Sequence, residues 1–208
     1  TGVLHRLESS LNYQRLRPRH KCQAQEVTGQ CFSFSLLMHW LLPGGDMGEE
    51  EMETLKKLNR EYLNTIWQAA KTGDLELLSE EAKQLATIML EHQEYHNQFE
   101  IAGHLHDHEY HVDREGNPFL HIAIHAVVEN QLEAKDPIEV FQFYNAMRKH
   151  AVPRHDIVHM IGAILAPLIF DVKQEGKPFD SGRYVRILKK CKTKKPHKFW
   201  DAIEGAFD

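Results

Sequence analysis

From Glu49 onward the apolar residues of this 208-residue chain recur at three- and four-residue spacing, and no stretch alternates with the period of two that a strand needs. Leu55, Leu58, Tyr62, Ile66 and Ala69 draw one stripe over residues 50–70, which Thr72-Gly73-Asp74 brings to an end. Ser79 ahead of Glu80 and Glu81 has the form of an N-cap before an acidic first turn. The helix it opens carries Leu85, Ile88 and Met89 toward the segment His92–His96. Residues 102–116 have no period and read as a loop. Asn117-Pro118 is a strong helix start, a capping amide followed by a proline whose missing N–H costs nothing at that position. The helix that follows, near 118–134, is apolar around most of its circumference, so it belongs at the centre of a core. Further helices open at Asp136-Pro137 and at Pro153, the second with a bend expected at Pro167. A last one covers roughly Ser181 to Lys190. The expectation is an all-α helical bundle of about five to seven helices with the 118–134 helix buried.

Apolar residues at 42% and charged residues at 26% suit a globular domain rather than a disordered chain. A formal charge of -5 gives no global attraction to nucleic acid or to an anionic membrane. The three cysteines, Cys22, Cys31 and Cys191, are widely spaced and form no C-x-x-C, which argues against a disulfide framework and against a cysteine zinc site. Residues 1–46 read differently from the body. A basic cluster from Arg15 to Lys21 precedes an apolar run from Cys31 to Leu42 that is too short to cross a bilayer as a helix. The basic part is long for a secretory signal and no small-x-small cleavage site follows. Residues 1–46 are therefore expected to be a poorly ordered upstream extension, with Met47 or Met52 the natural start. The expected domain is 47–192, followed by a basic then aromatic tail at 193–208, in a cytoplasmic protein.

Histidine is the residue out of proportion. Of fifteen, eleven lie between His92 and His159. His121, His125 and Glu129 follow one another at four-residue steps on the central helix, and each step turns the side chain by only about 40°, so the three share a stripe. Two histidines at i and i+4 can chelate one ion. Glu129 stands about 12 Å along the axis from His121, too far for both to hold one ion, so it would serve a second ion or steady a ligand histidine. His155 and His159 repeat the pair, and His92 and His96 give a third, with Glu91, Glu94 and Glu100 nearby. A lone pair of this kind is common by chance, and a buried histidine is more often a hydrogen-bonded core residue than a ligand. Three pairs on three helices are harder to dismiss, because so many buried imidazoles would each need a partner. The histidines at 104, 106, 108 and 111 fall in the loop and look adventitious.

The segment Asn117-Pro118-Phe119-Leu120-His121-Ile122-Ala123-Ile124-His125 resembles the NPFLH-x-x-x-H signature of small bacterial proteins classed as the domain of unknown function 1841 family. That family's H-P-E-Y-H element is matched by His92-Gln93-Glu94-Tyr95-His96, with Gln93 in place of proline. Glu129-Asn130-Gln131 and the later pair His155 and His159 match as well, and the resemblance covers about residues 55–190. It carries no established activity with it. The histidine pairs on adjacent helices also look like hemerythrin-type bundles, but the arrangement departs from the set of H-x-x-x-E and H-x-x-x-x-D elements in those proteins, so oxygen carriage is not implied.

The reading that follows is a bundle holding a metal ion through His92, His96, His121, His125, Glu129, His155 and His159. Seven side chains are too many for one tetrahedral ion, so the sharp version is a dinuclear iron-type centre. Nitrogen and oxygen donors suit iron first, then zinc or manganese. If catalytic, such a centre would activate oxygen or a bound water. The reading from another class is a metal-free interaction module with a buried histidine hydrogen-bond network. A third rests on Lys189, Lys190, Lys192, Lys194, Lys195 and Lys198 ahead of Phe199-Trp200, which could meet RNA through charge and stacking but more often marks a solvated helix end. Cys191, among these lysines, is expected to be a solvated thiol. Self-association is left open.

Overall fold

The computed structural model describes residues 49–105, 108, 110, 116–175 and 178–207. The reading of residues 1–46 lies outside them, as do His106 and His111. The described residues form eight α-helices and no strand: α1 (Glu49–Thr72), α2 (Glu80–Glu91), α3 (His96–Glu100), α4 (Pro118–Ala134), α5 (Ile138–Arg148), α6 (Arg154–Glu175), α7 (Ser181–Lys192) and α8 (Phe199–Phe207). Short 3-10 turns at Gln93–Tyr95, Ala102–His104 and Pro196–Lys198 join some of them. The protein is an all-α helical bundle. Two helices exceed what periodicity predicts, the five-residue α3 and α8, which occupies most of the expected tail.

The helix ends follow local chemistry. Gly73 takes the left-handed conformation (φ 76), which lets the Asp74 N–H reach back to the Ala69 carbonyl at 3.1 Å and close α1. The Ser79 hydroxyl accepts from the Ala82 N–H at 3.2 Å to start α2. Asn117 Oδ1 accepts from the N–H groups of Phe119 (3.0 Å) and Leu120 (3.1 Å), so α4 begins where its cap and proline place it. Asp180 caps α7 through the Arg183 N–H at 2.7 Å.

Two compact units divide between Ala126 and Val127, inside α4. In the first, α1 packs on α2 and on α3. Its core joins Leu63, Ile66 and Trp67 of α1 to Leu85, Ile88 and Met89 of α2, with Phe99, Phe119 and Ile122. Asn64 of α1 donates to the Phe99 and Glu100 carbonyls, both at 3.0 Å, and so satisfies the end of α3. Arg60 is buried among these groups with its guanidinium 3.5 Å from the centre of the Phe119 ring and 5.6 Å from that of Tyr110. Burial pulls its pKa down to about 10.

In the second unit α5, α6 and α8 all pack on α7. Phe143 of α5 meets Phe199 of α8 edge to face at 5.8 Å, and the buried Tyr184 hydroxyl donates to Gln131 Oε1 at 2.8 Å. α6 runs through Pro167 to Glu175. Its segment Arg154–Val172 is long and apolar enough to cross a membrane by length and composition, with 67% of it buried in the fold. Core helices of soluble proteins meet the same two conditions. No residue of α4 from Pro118 to Leu132 is exposed, as its largely apolar circumference predicts.

Candidate metal centre

His92 is fully buried at the end of α2. Its Nδ1 lies 2.6 Å from the Ile88 carbonyl oxygen. A carbonyl only accepts, so Nδ1 carries the hydrogen and, in the neutral ring, the lone pair sits on Nε2. Ligand histidines are commonly held this way, with the second nitrogen tied to a backbone carbonyl. On α4, His121 and His125 stack at 4.6 Å with 28° between their planes, the geometry that i, i+4 spacing on one unbroken helix imposes. Both stand edge-on to His92, at 4.6 Å for His121 and 4.5 Å for His125. His125 is 4% exposed and His121 8%, and the Nε2 atoms of all three are shielded from solvent.

The pair on α6 holds as well. The rings of His155 and His159 are 4.4 Å apart, and both residues are half-buried. The first unit thus gathers His92, His121 and His125, and the second the pair His155 and His159. Both sets are imidazoles with no carboxylate among them.

Two of the seven residues expected at the site are engaged elsewhere. His96 does not share a helix with His92, because the turn Gln93–Tyr95 separates them and His96 starts α3. Its ring packs 4.5 Å from the Trp67 indole, and its Nε2 is buried without a hydrogen-bond partner. Trp67 Nε1 in turn donates to Glu100 Oε2 at 2.8 Å. Glu129 forms an ion pair with Arg154, the residue that opens α6. The Tyr95 ring lies 5.3 Å from that of His121. Spacing alone does not point to Arg154 as the partner of Glu129, nor to Arg60 against the Phe119 ring.

The expected solvated thiol is corrected by the structure. Cys191 is fully buried, on the same face of α7 as Tyr184, Ile187 and Leu188, and desolvation pushes its pKa up, away from the reactive thiolate. The neighbouring cations are largely committed to the second unit itself. Lys189 pairs with Glu139 at 3.1 Å, Lys190 donates to the Gly205 carbonyl at 2.7 Å, Lys192 to Gln142 Oε1 at 2.7 Å, and Lys198 to Asp201 at 3.4 Å. Phe199 is a core residue and offers no stacking platform.

Residues 56–190 match the family described as Domain of unknown function (DUF1841). The chain belongs to this family. Neither the curated proteins nor the solved structures give a match. The matched DUF1841 region ends just before Cys191, so it takes in both histidine sets and leaves out α8.

Proposed function

We propose that this DUF1841 protein binds metal through its histidine sets, His92, His121 and His125 in the first unit and His155 with His159 in the second. The observation that carries the reading is the convergence of the His92, His121 and His125 rings, with centres 4.5 Å and 4.6 Å apart. The His92 hydrogen bond supports it by leaving the ligating nitrogen as the acceptor. The donor set fits: His92, His121 and His125 are imidazoles, the nitrogen ligands zinc takes, and their Nε2 atoms are shielded from solvent. Nitrogen donors without a carboxylate favour zinc, or iron with further positions open to water, over manganese. A dinuclear iron-type centre draws on bridging carboxylates, and Glu129 is held by Arg154. Histidines buried in the core bind an ion only in the folded chain, so the binding energy of the ion becomes folding energy.

Elemental analysis of protein purified without chelator tests the reading. About one equivalent of zinc or iron, lost in the His92→Ala/His125→Ala variant, is the expected result, together with a lower melting temperature on adding chelator. Metal at background after reconstitution, with melting indifferent to chelator, would replace it with the metal-free histidine network.

A further inference from the structure

We infer that Glu129 is a positioning residue, acting through Arg154 to set the His155–His159 pair, and that it does not ligate the ion. The inference rests on the metal reading above. Glu129 lies one helical turn beyond His125 on the α4 stripe, and its Oε2 pairs with the Arg154 guanidinium. Arg154 is the first residue of α6 and the immediate neighbour of His155. The same guanidinium lies 3.4 Å from the Tyr144 hydroxyl and 5.5 Å from the centre of its ring, on α5. The first turn of α6 is therefore fastened at one point to both the C-terminal half of α4 and the body of α5. His155 and His159 stand on that turn and the next, so any swing of the helix start moves both imidazoles together.

An ion pair whose arginine side chain is 55% exposed adds little to the stability of a fold. Its effect is expected where geometry is demanding, at a metal site whose nitrogens must meet at bond distance. The planar guanidinium suits this task because it can engage the carboxylate while lying against a tyrosine, which a lysine ammonium cannot do in the same way.

The test uses the full chain and Co2+ as the probe, whose visible ligand-field bands report the donor set. Glu129→Gln should weaken Co2+ binding about tenfold while leaving band positions and stoichiometry unchanged. Arg154→Lys should fall between that variant and the wild type. The charge-swapped Glu129→Arg/Arg154→Glu double variant should recover most of the lost affinity. Loss of the wild-type bands in Glu129→Gln, with no recovery in the swap, would make Glu129 a ligand and overturn the inference. Unchanged affinity in both Glu129→Gln and Arg154→Lys would overturn it too. Should the swap fail to fold, Arg154→Lys decides: weaker binding at an unaltered apo melting temperature supports the strut. A wild-type chain that takes up no Co2+ fails the metal reading itself, whereas a wild type that binds and variants that match it fail only this inference.

Discussion

His92 and His96 have the same spacing in the chain as His121 and His125, yet only the second pair ends as neighbours on one helix. Around His121 and His125 the backbone is fixed from outside the pair: Asn117 caps the start, Pro118 sets the first turn, and no residue up to Leu132 is exposed. Around His92 the helix stops. The chain turns through Gln93–Tyr95, and the His96 ring goes to Trp67 while the His92 ring goes to His121 and His125. An i, i+4 pattern predicts a shared face only where the helix runs unbroken through both positions.

The sharpest way to break this comparison is to remove one histidine from each pair. His125→Ala should lose the ion, read as metal per folded chain by elemental analysis, while His96→Ala should keep about one equivalent. Equal loss in both would restore the pair at 92 and 96 as ligands. Next in size is the core on which both segments depend. Phe99 is fully buried, with the Trp67 ring 5.6 Å and the Phe119 ring 6.0 Å away, so it joins the turn segment to the start of α4. Phe99→Ala should cost about 3–5 kcal/mol in denaturant unfolding. A cost below about 1 kcal/mol would mean that the segment around His96 is not anchored as described.

Much of this is legible in the sequence. Ser79 and Asn117-Pro118 announce their helices because capping is a local matter, settled within a few residues. The α4 stripe and the α6 pair follow from periodicity in the same way. Helix α3 has five residues, too few to repeat a pattern, and α8 follows a lysine-rich stretch that drew attention to charge rather than to Phe199 and Ile203. Cys191 was readable: Tyr184, Ile187, Leu188 and Cys191 recur at i, i+3, i+4 and i+7, which places the thiol on the buried face. Glu129 was not. Its partner Arg154 is 25 residues away, and no spacing rule reports an ion pair formed across two helices.

Smaller effects test the two helix boundaries directly. Asn117→Ala removes the side chain that accepts from both Phe119 and Leu120, and should cost about 1 kcal/mol by denaturant unfolding. No change would mean that Pro118 alone sets the start of α4. At α3 the N-cap residue, Tyr95, makes no side-chain capping hydrogen bond.

Gln93→Pro asks whether the break after His92 belongs to the fold. Gln93 is the first residue of the turn, and the H-P-E-Y-H element that the segment resembles carries proline at this position. A proline ring there meets no preceding helical turn that must continue through it, so the change should alter stability by less than about 1 kcal/mol in either direction. In a helix running unbroken from α2 to His96 the same ring would clash with the carbonyl four residues back and cost about 3 kcal/mol or more. Thermal and urea unfolding of the full chain separates those values, and metal content measured alongside shows whether the turn still delivers His92 to the site.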